Sequence, residues 1–267
     1  MQILIAALLL GALGLIFGLV LTFASKKFHV EEDPRLEQVK ALLGGANCGA
    51  CGYPGCDGCA NAMIKGEAKP DACPPAGAKA AKEIGEILGL SVTESAPMVA
   101  RVICQGTSGI AVDRYLYDGY KSCRVAAGIA GGPKACRFAC IGLGDCQDDC
   151  AFDAIHMKDG IAVVDEDKCR ACGKCVDACP RGAIRMMRKD QSVIVRCRNS
   201  DVARVARGVC MYACIGCGRC TKECEVGAIR VENGFAIIDD ALCTRCGKCA
   251  AVCPCKCITF DSDEAAG

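Results

Sequence analysis

The chain has 267 residues, room for two or three small domains, with five Tyr, seven Phe and no Trp, so large side chains are too few to hold such domains together by themselves. Its net charge is +1, with basic and acidic residues interleaved, which gives nucleic-acid binding no support. The 27 cysteines are odd in number and gathered in close CxxC runs, a pattern that disfavours a disulfide-stapled scaffold and favours thiolate ligation in a reducing compartment.

Residues Ile3 to Ala24 form an uncharged run of 22, long enough as a helix to span a hydrocarbon layer of ~30 Å. A transmembrane anchor is expected over 1–25. A cleaved signal peptide fits less well, because no Lys or Arg precedes the run. Lys26 and Lys27 follow it directly, so the positive-inside rule keeps the rest of the chain in the cytoplasm, at the inner membrane. Gly11, Gly14 and Gly18 make a small-residue stripe on which another helix could pack.

A small helical domain is expected over 26–90. It opens on a helix with Asp33 as cap, Pro34 at the first turn and Gly44–Gly45 as stop. The loop that follows carries Cys48, Cys51, Cys56 and, after a gap of 16 residues, Cys73. Four thiolates can surround a cubane cluster, with intervening glycines curling the backbone so that amides face the sulfurs; structural zinc is the competing occupant. Residues 91–133 read as a connecting segment, 191–209 as a connecting helix and 261–267 as an acidic tail.

The C-terminal half repeats itself with a shift of 74 residues. Cys136, Cys140, Cys146, Cys150, Cys169, Cys172, Cys175 and Cys179 fall on Cys210, Cys214, Cys220, Cys224, Cys243, Cys246, Cys249 and Cys253. Between the cysteine runs of each repeat lies a stretch that predicts a β-hairpin, with turns at Asp159-Gly160 and Asn233-Gly234. Two modules follow, at 134–190 and 210–260, and the fold class is α+β: an anchor helix, a small helical 4Fe-4S domain and two tandem ferredoxin-like modules.

Two cysteine runs flanking a hairpin resemble a bacterial two-cluster ferredoxin, and the runs ending at Cys179-Pro180 and Cys253-Pro254 keep its CxxCxxCxxxCP spacing. In that motif three close cysteines bind one cluster and the fourth crosses to the other. The resemblance implies Cys214, Cys217, Cys220 and Cys253 for one cluster, Cys224, Cys243, Cys246 and Cys249 for another, and Cys150, Cys169, Cys172 and Cys175 for a third. In the first repeat Leu143 stands where a ligand belongs. Cys136 is the expected substitute, joining Cys140, Cys146 and Cys179; the alternative is that Cys136 is a bystander and that cluster is three-iron or absent. Five 4Fe-4S clusters are thus expected, with Cys59, Cys104, Cys123, Cys197, Cys210, Cys255 and Cys257 unassigned. His29 and His156 have no partners at ligand spacing, and no phosphate loop, nucleophile elbow or nicotinamide or flavin fingerprint is present.

The anchor, the CGACGYPGC loop and a module opening on GGPKACRFACIGLGDC together resemble the B subunit of the Rnf-type ion-translocating ferredoxin:NAD+ oxidoreductase, in its long form with two modules. The resemblance implies a translocase component that takes electrons from soluble ferredoxin and passes them to membrane partners, Na+ or H+ moving outward. It implies no catalytic residue, no flavin or NAD and no complete NAD+ site on this chain. A polyferredoxin of a hydrogenase or formate dehydrogenase complex, and a zinc scaffold, are the other readings.

Overall fold

The computed structural model of the protein describes residues 2–27, 33–92 and 96–260, with the backbone alone for 2–10 and 25–27. It divides into two units, Met1–Gln38 and Val39–Gly267. The first is dominated by helix α1, Gln2–Lys27, on which Leu13, Ile16, Phe17 and Leu19 are exposed. Among the described residues no helix is long and apolar enough to cross a membrane; the description of α1 side chains covers 11–24, and the rest of the expected anchor, like His29 and the tail 261–267, lies outside it.

Helix α2, Arg35–Leu42, begins where the sequence predicts, with Asp33 accepting the Arg35 N–H at 2.9 Å. In the second unit α3, Gly55–Ile64, a 3-10 turn over Pro74–Ala76 and α4, Gly77–Leu88, build the small helical domain. Val39, Met63 and Ile84 are its fully buried apolar side chains.

Each repeat then builds the same pair of two-stranded antiparallel sheets. In the first, β1 (Met98–Val102) pairs with β4 (Ile184–Arg188), and β2 (Ile155–Lys158) with β3 (Ile161–Val164). In the second, β5 (Val193–Val195) pairs with β8 (Ile258–Phe260), and β6 (Ile229–Glu232) with β7 (Phe235–Ile238). The stretches 91–133 and 191–209, read as connections, therefore supply the first strand of each module. α8, Ala203–Val209, stands within the second of them, and the short helices α5 (Cys123–Gly128), α6 (Asp145–Asp148), α7 (Lys174–Ala178), α9 (Arg219–Glu223) and α10 (Lys248–Ala251) follow the cysteine turns or, for α5, the loop before them.

The hairpin turns form as predicted. Asp159 and Gly160 have φ of 49° and 76°, and Asn233 and Gly234 have 51° and 84°, the double positive φ of a type I′ turn. The turn backbone then meets the leading cysteine run: a Cβ on Gly216 would come within 2.9 Å of the Gly234 carbonyl oxygen, and one on the equivalent Gly142 would collide with that of Gly160. Only glycine permits that approach.

The cores are thin. Ile155, Ala162, Ala183 and Ile184 pack with Cys140, Cys146 and Cys175 in the first module, and Ile229, Ala236, Cys257 and Ile258 with Cys214, Cys220 and Cys249 in the second. Small two-stranded sheets over cores of this size are marginal without a staple. The staple has to be what the cysteines hold.

Candidate cluster sites

The turns between ligands are built for curling. Ala171 and Arg245, equivalent residues inside the two CxxC turns, have φ of 55° and 59°, and Gly173 and Gly247 have 78° and 73°. Left-handed positions alternating with ordinary ones curl the backbone so that N–H groups can turn toward sulfur. Several reach sulfur: Ala100 N–H donates to Cys169 Sγ at 3.3 Å, Ala183 N–H to Cys179 at 3.3 Å and Arg245 N–H to Cys243 at 3.4 Å. Amide donors at a cysteine sulfur favour its thiolate.

Three of the expected ligand sets each line one cavity. Cys214, Cys217, Cys220 and Cys253 line a cavity of about 10 Å³, Cys150, Cys169, Cys172 and Cys175 one of about 20 Å³, and Cys224, Cys243, Cys246 and Cys249 one of about 20 Å³. In every set one buried thiol is raised, first by burial and then by the other three cysteines. Cys175 is pushed up to about 12 with Cys169, Cys172 and Cys150 around it; Cys220 to about 11 with Cys214, Cys217 and Cys253; and Cys249 rises beside Cys243, Cys246 and Cys224. Four like charges cannot share a buried cradle unless cations stand among them, so these donor sets fit a metal cluster and are poor as plain thiols. Among the described residues no three Cys, His, Asp or Glu side chains are set to hold a single metal ion.

Around Cys146 the structure brings a cysteine that the expected ligand set does not include. Cys146, equivalent to Cys220, is pushed up to about 12 by burial and then by Cys140, Cys123, Cys179 and Cys175. Cys123 thus stands beside Cys146, one of the expected ligands, at the place where the second module has Cys217 near Cys220. It arrives on an insertion: 31 residues separate Cys104 from Cys136 but 12 separate Cys197 from Cys210, so the first module is 19 residues longer there. Asp145, next to Cys146, pins that insertion by accepting the N–H of Cys123 at 2.7 Å, the N–H of Arg124 at 3.0 Å and the Ser122 hydroxyl at 3.0 Å. Leu143 packs against the same small cluster of Cys123, Ala126 and Ile141, filling with hydrocarbon the place where its sequence position predicted a thiolate.

Cys136 faces another cavity, lined also by Cys104, Cys197 and Cys210. It accepts a hydrogen bond from the Asn199 amide nitrogen at 3.5 Å.

In the small helical domain Cys51, Cys56 and Cys73 come together with Cys59, which the sequence left unassigned. Cys59 is 1% exposed, and its thiol is pushed up to about 12 by burial, a hydrogen bond to Cys51 and the nearby Cys73 and Cys56. Cys48 stands close enough to Cys172 to contribute to the rise of that thiol, after burial. The domain's loop therefore borders the Cys150/Cys169/Cys172/Cys175 cradle. Cys257, also unassigned, is buried beside Cys214 and Cys253, and its single S–H proton, shared between their sulfurs, holds Cys214 down to about 6 and Cys253 to about 5.

Comparison with known proteins agrees with this layout. Residues 43–75 match the family model described as "Putative Fe-S cluster", and residues 162–185 and 211–230 match "4Fe-4S binding domain". The chain is 47% identical over 97% of its length to the B subunit of the Na(+)-translocating ferredoxin:NAD(+) oxidoreductase complex of Acetobacterium woodii, of which it covers 78%. It is 42% identical over 93% of its length to the B subunit of the ion-translocating oxidoreductase complex of Methanosarcina acetivorans, covering 95% of that protein. With the B subunit of the proton-translocating ferredoxin:NAD(+) oxidoreductase complex of Clostridium ljungdahlii it shares 36% identity over 91% of its length, covering 87% of the relative.

Proposed function

Because the chain belongs to the family of B subunits of ion-translocating ferredoxin:NAD(+) oxidoreductase complexes, we propose that it is the component that takes single electrons from reduced soluble ferredoxin and relays them to membrane partners. In that complex the downhill flow to NAD+ is coupled to outward movement of Na+ or H+. The observation that carries the proposal is the set of three cavities, each lined by the four cysteines of one expected set drawn from two separate runs, with Cys255 and Cys257 also lining one of them.

Five 4Fe-4S clusters are proposed. Four keep the ligands read from the sequence: Cys48, Cys51, Cys56 and Cys73, with Cys59 beside them; Cys150, Cys169, Cys172 and Cys175; Cys214, Cys217, Cys220 and Cys253; and Cys224, Cys243, Cys246 and Cys249. The fifth takes Cys140, Cys146 and Cys179 with Cys123 in place of Cys136. When bound, such clusters supply reversible one-electron chemistry at potentials set by hydrogen bonds to sulfur and by exposure. The chain's own part is to hold the thiolates, aim amide N–H groups at them and keep water out. Cys217 and Cys246 are exposed whereas Cys172, the first-module equivalent of Cys246, is half-buried, which suits the second module to receive electrons at the surface and the first to pass them inward. The approach of Cys48 to Cys172 supports the small helical domain as the next station. Residues 3–24 are proposed as a single membrane anchor with the clusters on the cytoplasmic side, on the strength of their uncharged run and the Lys26-Lys27 pair.

The test is chemical. Anaerobically purified full-length chain should carry iron and acid-labile sulfide in equal amounts and be reduced by ferredoxin in one-electron steps. Zinc without sulfide, or clusters that ferredoxin cannot reduce, would overturn the reading.

A further inference from the structure

Four cysteines outside the five ligand sets of the proposed function, Cys104, Cys136, Cys197 and Cys210, face one cavity of about 20 Å³, of the same order as the 10 and 20 Å³ of the three cradles described above. Each module contributes two of them, and the contributions are equivalent. Cys136 and Cys210 are related by the 74-residue shift, while Cys104 and Cys197 each stand two residues beyond the first strand of their module, β1 or β5.

The hydrogen bonding repeats as well. Cys104 Sγ accepts from Gly106 N–H at 3.3 Å and from Cys140 N–H at 3.4 Å. Cys197 Sγ accepts from Asn199 N–H at 3.4 Å and from Cys214 N–H at 3.2 Å. Two backbone donors on one sulfur suit a thiolate far better than a thiol. Positive charge is at hand: Lys134, 5% exposed, donates through Nζ to the carbonyls of Gly106 and Gly160, and Arg196 and Arg198 line the cavity. Buried free cysteines are often no more than small apolar side chains. That account explains neither four sulfurs on one cavity nor the same pair of amide bonds in both modules.

We infer that Cys104, Cys136, Cys197 and Cys210 hold a sixth 4Fe-4S cluster, bridging the two ferredoxin modules. The inference rests on the electron-relay reading and deepens it. Cys140 and Cys214, ligands of the leading cluster of each module, donate their amides to the bridging sulfurs, so the site lies directly between those two clusters. It would take one electron from the reduced cluster of one module and give that electron to the oxidised cluster of the other. No proton moves and no bond breaks.

Iron and sulfide content of the full-length chain, purified and reconstituted without oxygen, tests this together with low-temperature EPR. Six clusters require about 24 iron and 24 sulfide per chain. Cys136→Ala and Cys210→Ala should each lower the count by about four, and the double variant should fall no further than either single one, since both positions serve one cluster. Cys255→Ala is the control and should keep the full count. A wild-type content of about 20, or single losses that add in the double variant, would overturn the bridging site. If an alanine variant does not fold, the wild-type count and protection of the four thiols from alkylation until iron is chelated decide instead; alkylation before chelation refutes the site. Failure of the broader reading looks different, as zinc or no sulfide in the wild-type chain.

Discussion

The sulfur of Cys257 lies 3.5 Å from that of Cys253, and Cys257 occupies in the second module the place that Ala183 holds in the first. The first module therefore offers a natural control for what an extra thiol beside a cluster ligand does. Cys257 is 1% exposed, and its own thiol is strongly raised by hydrogen bonds to Cys214 and Cys253 and by burial. It stays protonated and donates.

A donor aimed at ligand sulfur stabilises the more negative, reduced cluster. Cys257→Ala should leave the iron content unchanged and lower the potential of the Cys214/Cys217/Cys220/Cys253 cluster. If the lost bond differs by about 1 kcal/mol between oxidation states, the shift is about 40 mV. A redox titration followed by EPR measures it. Loss of four iron instead would make Cys257 a ligand.

The insertion that carries Cys123 gives a second prediction. Cys123→Ala should remove or degrade the leading cluster of the first module alone, seen as a loss of about four iron with the second module's EPR signals intact. Asp145→Ala removes the acceptor of three hydrogen bonds that pin the loop and should weaken the same cluster, so that it is lost to chelator several times faster than in wild type. A Cys123→Ala protein with undiminished iron would return the ligand role to another residue.

These positions show what was legible in the sequence. Ligands set by close spacing, such as Cys169, Cys172 and Cys175, are visible because a turn of three or four residues fixes their geometry, and the Asp-Gly and Asn-Gly hairpins because only positive φ closes a two-residue turn. Cys104 and Cys197 were not visible. Their offset is 93 residues, not 74, since the 19-residue insertion lies between Cys104 and Cys136, so a single-shift overlay passes over them. The related endings Val102-Ile103-Cys104 and Val195-Arg196-Cys197 were the available signal. Leu143 pointed to a missing ligand, but Cys123, the replacement proposed above, sits twenty residues upstream, where tertiary packing and no local rule brings it back.

Arg101 is 6% exposed and bound on both sides of its guanidinium. Its Nε and Nη2 donate to Glu166 at 2.7 and 2.9 Å, Nη2 also to the Lys189 carbonyl at 3.0 Å, and Nη1 to the Gln191 carbonyl. It thereby ties β1 to the chain between β4 and β5. Arg101→Ala leaves two carbonyls and a half-buried carboxylate without their donor and should cost about 3 kcal/mol. Arg230→Ala, at an exposed pair with Glu232, should cost under about 1 kcal/mol. Anaerobic urea unfolding of the two variants makes the comparison, and equal midpoints would deny Arg101 its role.

The last prediction concerns how the donor docks. From Lys168 to Cys253 the chain holds more Lys and Arg than Asp and Glu, and exposed Arg204, Arg207, Arg219 and Lys222 lie in the sequence around the surface-reaching Cys217. Arg207 is near enough to Cys255 to favour its thiolate, though burial and Cys253 outweigh it. An acidic ferredoxin approaching this edge would be steered by opposite charge, an effect screened over about 10 Å at 0.1 M salt. The second-order rate of electron uptake should therefore fall as salt rises. Arg207→Glu combined with Arg219→Glu should slow uptake about tenfold at low salt, and the gap from wild type should close toward 0.5 M, because steering changes association more than the electron step. Stopped-flow reduction by ferredoxin reads both effects. A rate indifferent to salt, or a double variant equally slow at every salt concentration, would place the entry point elsewhere, and the half-buried Cys48, Cys51 and Cys56 of the small helical domain would be the next edge to test.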